Sequence, residues 1–288
     1  MLNQLVDLVA HPIDDRRSGR YRAIVEQVRN DLRSVGCAVI RDFVTPATVD
    51  ALSKEIMARK HTTHYSTQLM NPYFHTAVSP DFPSHHPVNT FIERSSGFIP
   101  GDSWDPDGAM EELFRCREVI GFVRDCLEVP ELHCYADPLA GLTANILDPG
   151  QQFTWHFDTN DFAVTVLVDK ADSGGAFQYV PAIRSGADEG FKAMQRVLDS
   201  GEHARELPEV HTLDLQPGDL QIFRGRYSLH RVERVRADSR PRHAAIFAYT
   251  EQPGVIGRLE RTQQLFGRVL QAHVDAEERR VRSDSLLD

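Results

Sequence analysis

The run Trp155-His-Phe-Asp-Thr-Asn-Asp-Phe-Ala-Val-Thr-Val166 decides the fold, because it joins two of eight short apolar segments in the second half of the chain. Turn sequences such as Asp148-Pro-Gly150, Ser173-Gly-Gly175 and Pro217-Gly-Asp219 separate these segments. Short strands with glycine and proline turns between them are typical of a jelly roll or barrel. The sequence predicts strands at residues 142–147, 154–158, 162–168, 177–180, 211–215, 220–223, 228–232 and 242–249.

The rest of the chain predicts helices that flank this sheet. Thr45 and Pro46 are typical of an N-cap and first-turn residue for a helix that ends at residue 60. Residues 61–107 show no clear period. We therefore expect an α+β, mainly β, single domain over residues 1–288, with helical support and a lid at 1–130, a sheet core at 131–252 and a C-terminal helix at 253–288. Further predicted elements are a strand at 37–44 and helices at 21–34, 107–127, 188–200 and 256–280.

Composition and charge argue against two classes of partner. The 42 acidic and 32 basic side chains give a formal net charge of -10, which repels phosphate backbones and anionic lipid. No run reaches the roughly 20 apolar residues of a membrane helix, and residues 1–20 lack the basic start of a signal peptide. We expect a cytoplasmic protein without nucleic acid or membrane as a partner. Its cysteines form no Cys-x-x-Cys pair and are expected to be reduced and mostly buried: Cys37, Cys116, Cys126 and Cys134.

Two side chains of the quoted run could bind one metal ion. Because side chains alternate across a strand, His156 and Asp158 would project from the same face. The 2-His-1-carboxylate triad of non-haem Fe(II) oxygenases needs one more histidine from a neighbouring strand, and His230 stands in such a strand. The pair His273-Val-Asp275 lies in a helical stretch, where positions i and i+2 do not face each other, so we discard it.

Four motifs in order carry a resemblance to a known superfamily: His156-Phe-Asp158, Pro217-Gly-Asp-Leu220, His230-Arg-Val232 and Arg240-Pro-Arg242. Over residues 145–249 the chain resembles the Fe(II)/2-oxoglutarate-dependent dioxygenases, whose fold is the double-stranded β-helix, a cupin-like jelly roll. The resemblance implies Fe(II) as cofactor and 2-oxoglutarate and O2 as co-substrates. It also implies that His156, Asp158 and His230 are the metal ligands and catalytic residues.

The resemblance further implies an arginine that receives the far carboxylate of 2-oxoglutarate. A guanidinium suits this role because it offers two parallel hydrogen bonds. Arg240 and Arg242 share strand parity, and Pro241 favours Arg242, since the regular strand is expected to begin only after the proline. Arg240 stays the reserve. Asn145 and Thr165 face the same side by alternation and are expected to bind the co-substrate.

A closer resemblance rests on the quoted run together with Asp137-Pro-Leu-Ala-Gly-Leu142, Val180-Pro-Ala-Ile-Arg184 and Phe223-Arg-Gly-Arg-Tyr-Ser-Leu-His-Arg-Val232. These stretches are similar to the stand-alone branch that contains hydroxylases and halogenases of free amino acids. In its halogenases, glycine replaces the metal-binding aspartate so that chloride can bind iron. This chain keeps Asp158, which favours hydroxylation.

The branch implies a small-molecule substrate, either a free amino acid or a similar small polar metabolite. Arg94 stands at a distance from the metal motif where related enzymes hold the substrate carboxylate. Thr159 and Asn160 follow the metal-binding aspartate and would border the substrate. Asp137 is an acidic candidate for its amine, and a turn or capping role is the open alternative for it. The lysine-acting halogenases carry an acid at the position of Thr159, which disfavours a substrate with a cationic side chain.

The motifs leave several outcomes open. The same metal centre would also support desaturation, epimerisation or cyclisation in natural-product biosynthesis. A non-catalytic jelly-roll protein could keep the metal site as a relic or a sensor. The last predicted helix would either cap the barrel or form a homodimer through its apolar residues Leu259, Leu265, Phe266, Val269 and Leu270.

Overall fold

Two antiparallel sheets lie at the centre of the computed structural model, which describes residues 2–279, 286 and 287. The larger sheet has the strand order β1-β10-β7-β12-β5-β3-β2, and the smaller sheet has the order β6-β11-β8-β9. The strands are β1 (Cys37–Ile40), β2 (His64–Met70), β3 (Ile92–Ile99), β4 (His133–Cys134), β5 (Leu142–Leu147), β6 (Phe153–His156), β7 (Ala163–Asp169), β8 (Phe177–Val180), β9 (His211–Leu213), β10 (Leu220–Phe223), β11 (Leu229–Val232), β12 (Arg242–Phe247) and β13 (Tyr249–Thr250). The α+β jelly roll expected from the sequence is confirmed.

The helices within the described residues lie before, between and after these strands. Ser18 caps the second helix by accepting from Tyr21 N, and Thr45 caps the third by accepting from Thr48 N, as the sequence predicts for Thr45. None of the described helices is long and apolar enough to cross a membrane. They are α1 (Leu2–Leu5), α2 (Gly19–Val35), α3 (Pro46–Arg59), α4 (Ala109–Arg115), α5 (Arg117–Leu127), α6 (Phe191–Asp199), α7 (Leu259–Phe266) and α8 (Gln271–Glu278).

Alternation along the strands gives the larger sheet two different faces. Ala144 and Ile146 of β5 are fully buried in the main core, together with apolar residues of α2, α3, α4 and α5. Thr143 and Asn145 of the same strand face the opposite way and line a cavity. The helices therefore cover one face of this sheet, and the other face is available for chemistry.

The segment expected to be irregular contains two strands of the larger sheet. β2 and β3 pair over their whole lengths, from His64 opposite Phe98 to Met70 opposite Ile92, and β3 continues onto β5. The expectation of no regular structure over residues 61–107 was wrong because β2 is largely polar and half exposed, so its sequence has no apolar alternation. Only tertiary pairing with β3 identifies it as a strand.

Two helices expected to be continuous are broken. The predicted helix 107–127 is divided into α4 and α5 by Cys116, whose ψ of 119° is extended. The predicted helix 256–280 is divided into α7 and α8 after Gly267, whose φ of 69° is a left-handed helix ending, and residue 280 lies outside the described residues. All four cysteines are free: Cys37 and Cys126 are buried, and Cys116 and Cys134 are half-buried.

Candidate active site

Two histidines and one aspartate converge between the two sheets. β6 and β11 pair so that His156 lies opposite His230, with their ring centroids 4.0 Å apart. The Oδ1 atom of Asp158 lies 3.8 Å from Nε2 of His156 and 3.5 Å from Nε2 of His230. One ligand atom from each residue lies within 4.8 Å of the others, so the three groups could share one metal ion.

Backbone carbonyls fix the tautomer of both imidazoles. Nδ1 of His156 is 2.7 Å from Thr154 O, and Nδ1 of His230 is 3.0 Å from Ser228 O. A carbonyl oxygen only accepts, so each Nδ1 carries the proton and donates it. Each Nε2 therefore keeps its lone pair free to bind a metal, and the carbonyls hold the rings in place.

The protonation states of this cluster also suit a cation. Burial and the neighbouring His230 lower the pKa of His156 well below its ordinary value, so its ring is neutral. Burial alone would raise the pKa of Asp158, but the two imidazoles and Arg261 outweigh it and lower that pKa to about 2. A neutral imidazole and an ionised carboxylate are the forms that bind a divalent metal.

A glycine makes room for the aspartate. Strand β6 ends at His156, so Asp158 lies beyond the regular strand. The prediction of a strand over residues 154–158 was wrong at this end. The amide of Asp158 donates to Gly225 O at 3.2 Å, and a Cβ atom on Gly225 would overlap Oδ2 of Asp158. This close approach allows only glycine at position 225 while the carboxylate keeps its place.

A cavity of about 210 Å³ opens beside the cluster, and Arg242 lies in its wall. The Arg242 side chain is buried, and the described residues offer its guanidinium no hydrogen bond or ion pair. Burial lowers its pKa to about 10, so it remains a cation at neutral pH. An unpaired buried guanidinium facing a cavity is suited to an anionic ligand.

Arg240, the reserve for the same role, lies elsewhere. Its side chain is 76% exposed and pairs with Asp172, with an Nη2 to Oδ1 distance of 2.8 Å. It is absent from the cavity wall. Strand parity placed both arginines on one face, but β12 begins only at Arg242, so the parity rule does not extend back to Arg240.

Polar side chains from three neighbouring strands form a row across the cavity. Asn145 pairs across strands with Ala244, Thr165 pairs with Ile246 and with Gln221, and all of these residues line the cavity. The hydroxyl of Thr165 donates to Oε1 of Gln221 at 3.1 Å. The sequence identified Asn145 and Thr165. It also contained a signal for Gln221, a polar residue at an alternate position of an apolar strand.

The structure places two of the four predicted substrate residues in the cavity wall and two outside it. Thr159 and Asn160 line the cavity. Arg94 does not: it is fully buried outside the wall, with its guanidinium carbon 5.6 Å from the ring centroid of Phe153. Asp137 is also absent from the wall, because it accepts from the amides of Leu139, Ala140 and Gly257 and lies 3.0 Å from His273.

The sequence missed three residues at the other end of the cavity. Phe74 lines it and makes an edge contact with His156, with ring centroids 5.4 Å apart. Arg258 and Arg261, at the start of α7, line it as well. No local motif marks these residues, because an irregular loop and a C-terminal helix meet the site only through the tertiary fold.

Comparisons with known proteins agree with this geometry. A family model described as Halogenase D matches residues 105–257. No curated protein matches the chain at a significant level. Two solved structures are similar over 80% of this chain. The first is the non-heme alpha ketoglutarate dependent carbocyclase SnoK from nogalamycin biosynthesis, with 13% sequence identity, 85% of that chain covered and a TM-score of 0.53. The second is HygX from Streptomyces hygroscopicus with nickel, 2-oxoglutarate and hygromycin B bound, with 14% sequence identity, 88% of that chain covered and a TM-score of 0.52. These two show the shared fold.

Proposed function

We propose that this chain, which belongs to the Halogenase D family of the Fe(II)/2-oxoglutarate-dependent oxygenases, hydroxylates an unactivated C–H bond of a free amino acid or a similar small polar metabolite. In this reaction one oxygen atom of O2 enters the substrate and the other enters succinate, while 2-oxoglutarate loses CO2. The convergence of His156, Asp158 and His230 on one point carries the proposal. Bound iron supplies the oxidising power for the C–H bond, and the protein supplies position and electrostatics.

The residues present fit the cofactor and the co-substrate. His156, Asp158 and His230 would hold Fe(II) from one side and leave its other side open. Arg242 would receive the far carboxylate of 2-oxoglutarate, because it is a buried cation facing the cavity without a described partner. The row of Asn145, Thr165 and Gln221 would orient the same molecule by hydrogen bonds.

The aspartate supports hydroxylation over halogenation. A carboxylate at position 158 occupies the place that a halide would need on the metal. In this chain the room for it is built in, because Gly225 has no side chain to displace it. Asp158 also stays ionised, with a pKa of about 2, so it competes with any halide as a permanent anion.

A co-substrate turnover assay with a panel of free amino acids tests the proposal. With Fe(II), 2-oxoglutarate and O2 present, we expect at least one amino acid to stimulate succinate formation and to gain the mass of one oxygen atom. The turnover of the His156→Ala variant is expected to be at least about 100-fold lower than that of the wild type. Loss of a residue that only orients a metal ligand already lowers activity about 10- to 100-fold, and loss of the ligand itself costs more. His203→Ala is the matched control, because His203 is 81% exposed and pairs only with Glu206.

Each contrary result has a defined meaning. A product that has lost two hydrogen atoms would replace hydroxylation with desaturation. Turnover that responds to no amino acid would overturn the proposed substrate class. Full turnover in His156→Ala would overturn the metal site itself.

A further inference from the structure

The cavity extends from Arg242 to the start of α7. Arg242 is the first residue of β12, and Ala248 lies six residues further and still lines the cavity. At about 3.3 Å per residue this distance is about 20 Å. Ala248 O accepts from Tyr135 N at 2.9 Å, and the next residue after Tyr135 donates to Val255 O at 3.1 Å, just before Arg258. The cavity wall therefore contains arginines from the start of β12 and from the start of α7.

The arginines of α7 lie close to the metal-binding cluster. Arg258 and Arg261 both line the cavity. Arg261 also contacts the loop that meets this cluster. Its guanidinium carbon lies 3.0 Å from the ring centroid of Phe74, whose edge meets His156. A substrate beside the metal would thus be within reach of this cation.

The loop beneath Arg261 is held rigidly in an unfavourable backbone conformation. Phe74 has a φ of 67°, which is rare for an aromatic residue. The Asn71 side chain fixes the loop, because its Oδ1 accepts from Tyr73 N and His75 N, both at 2.9 Å. Gln264 of α7 donates to Phe74 O at 3.0 Å. The loop and α7 are therefore joined, and the Phe74 ring is placed between a cation and a metal-binding histidine.

The remaining wall is mostly aromatic and aliphatic. Among the described residues that line the cavity, Asp158 is the single acidic side chain, and it belongs to the metal site. The wall therefore offers no second carboxylate to a cationic substrate group. The apolar members of the wall include Phe98, Phe153, Phe162, Phe177, Ile246, Leu265 and Phe266.

We infer that Arg258 and Arg261 form a carboxylate-binding subsite, and that the substrate is a carboxylic acid with an apolar body and no cationic side chain. This inference rests on the proposed function, and it moves the substrate anchor from Arg94 to α7. Arg242 is reserved for the co-substrate at the opposite end of the cavity. The metal cluster and the α7 arginines line the same cavity, so a substrate held at α7 would have its apolar body near the metal.

A binding titration tests the subsite without any turnover. The probes are 3-phenylpropanoate and 3-phenylpropanamide, which share one apolar body and differ in the charge of one end. The protein is loaded with Ni(II) and excess 2-oxoglutarate, so that Arg242 is occupied. We expect the carboxylate to bind at least about ten-fold more tightly than the amide, because an arginine pair makes charge-assisted hydrogen bonds only to the carboxylate.

The variants assign this preference to particular arginines. In the Arg258→Gln, Arg261→Gln double variant the preference is expected to fall below about two-fold. Arg268→Gln is the matched control, because Arg268 follows α7 but pairs with Asp102 at 2.7 Å outside the cavity. The two single variants are measured in parallel, and each is expected to lose part of the preference, so a folding failure of the double variant does not remove the test.

The opposite results overturn the inference. A wild-type protein without preference for the carboxylate has no such subsite. A preference that persists in the α7 variants but disappears in Arg94→Gln returns the anchor to Arg94. Because the titration needs no reaction, a failure here is distinct from a failure of the succinate assay, which would instead remove the proposed hydroxylation.

Discussion

The two ends of the cavity are built in different ways. At one end, paired strands of both sheets carry His156, His230 and Arg242 at register positions that their ladders fix. At the other end, an irregular loop with Phe74 and a C-terminal helix with Arg261 meet through a few hydrogen bonds and one ring contact. The comparison teaches that strand register positions two residues of the cluster and Arg242. The parts that would choose a substrate are brought from distant parts of the chain.

The metal end should be the more sensitive of the two, and Gly225→Ala would test this most strongly. The added methyl overlaps Oδ2 of Asp158, so the carboxylate must move away from the two imidazoles. We expect at least about a 100-fold loss of Fe(II) affinity, measured by metal titration, and a similar loss of turnover. Gly121→Ala is the matched control, since no atom lies within 4 Å of its added Cβ. Unchanged metal affinity in Gly225→Ala would mean that Asp158 is no ligand.

The co-substrate position is tested by the two neighbouring arginines. Arg242→Gln removes a buried cation. Charge-assisted hydrogen bonds from an arginine to a carboxylate contribute about 2 kcal/mol, so the KM for 2-oxoglutarate should rise about 30-fold. Arg240→Gln should leave that KM unchanged, because Arg240 is exposed and paired with Asp172. Steady-state kinetics with varied 2-oxoglutarate distinguish them. A reversal of the two effects would restore Arg240 to the role that the sequence left open.

A smaller effect is expected where the α7 end is attached to the fold. Leu270 N donates to Nδ1 of His273, so that ring donates from Nε2 to Asp137, which also accepts from Gly257 N just before α7. Asp137→Asn replaces an acceptor at this point with a donor. The free energy of unfolding in urea should fall by about 2 kcal/mol.

The same variant also distinguishes the two ends. Probe binding at α7 is expected to weaken, while the KM for 2-oxoglutarate stays within about two-fold of wild type, because the described hydrogen bonds of the Asp137 carboxylate go to Leu139, Ala140, Gly257 and His273, and not to Arg242 or the metal cluster. Asp275→Asn is the control, since Asp275 pairs only with Gln271 on the surface of α8. Equal effects of both variants would show that the buried pair has no special part in holding α7.

Local patterns predicted the sheet well and the helical boundaries less well. The strands Leu142–Leu147, Phe177–Val180 and Leu220–Phe223 lie at the residues that the turns and apolar runs indicate. β2 was not predictable, because a polar edge strand is stabilised by its partner and not by its own apolar pattern. The break at Cys116 was likewise hidden, since the apolar stripe continues through it.

The site shows the same division. Motif order selected His156, Asp158 and His230, and strand alternation selected Asn145 and Thr165. The resemblance called for an arginine, and Pro241 favoured Arg242 over Arg240. All six selected residues line the cavity. Alternation and spacing cannot locate residues on a loop or a separate helix, so Phe74, Arg258 and Arg261 of the cavity wall were not identified. Arg94 and Asp137, which the sequence offered as substrate residues, lie outside that wall. Asp137 shows why: an acid near a motif serves equally well as a buried cap, and only its hydrogen bonds distinguish the two.

By itself, the sequence determined the jelly roll, the residues of the His-Asp-His cluster and the choice between two arginines for the cavity wall, because a two-residue side-chain period and an ordered motif are local properties. The tertiary structure alone decided what lies opposite that arginine. It joined a strained loop around Phe74 to α7 and placed Arg261 in the same cavity wall as Asp158, although these residues are separated by much of the chain. Packing and long-range hydrogen bonds determine which distant residues come into contact, and neither produces a periodic pattern in the sequence.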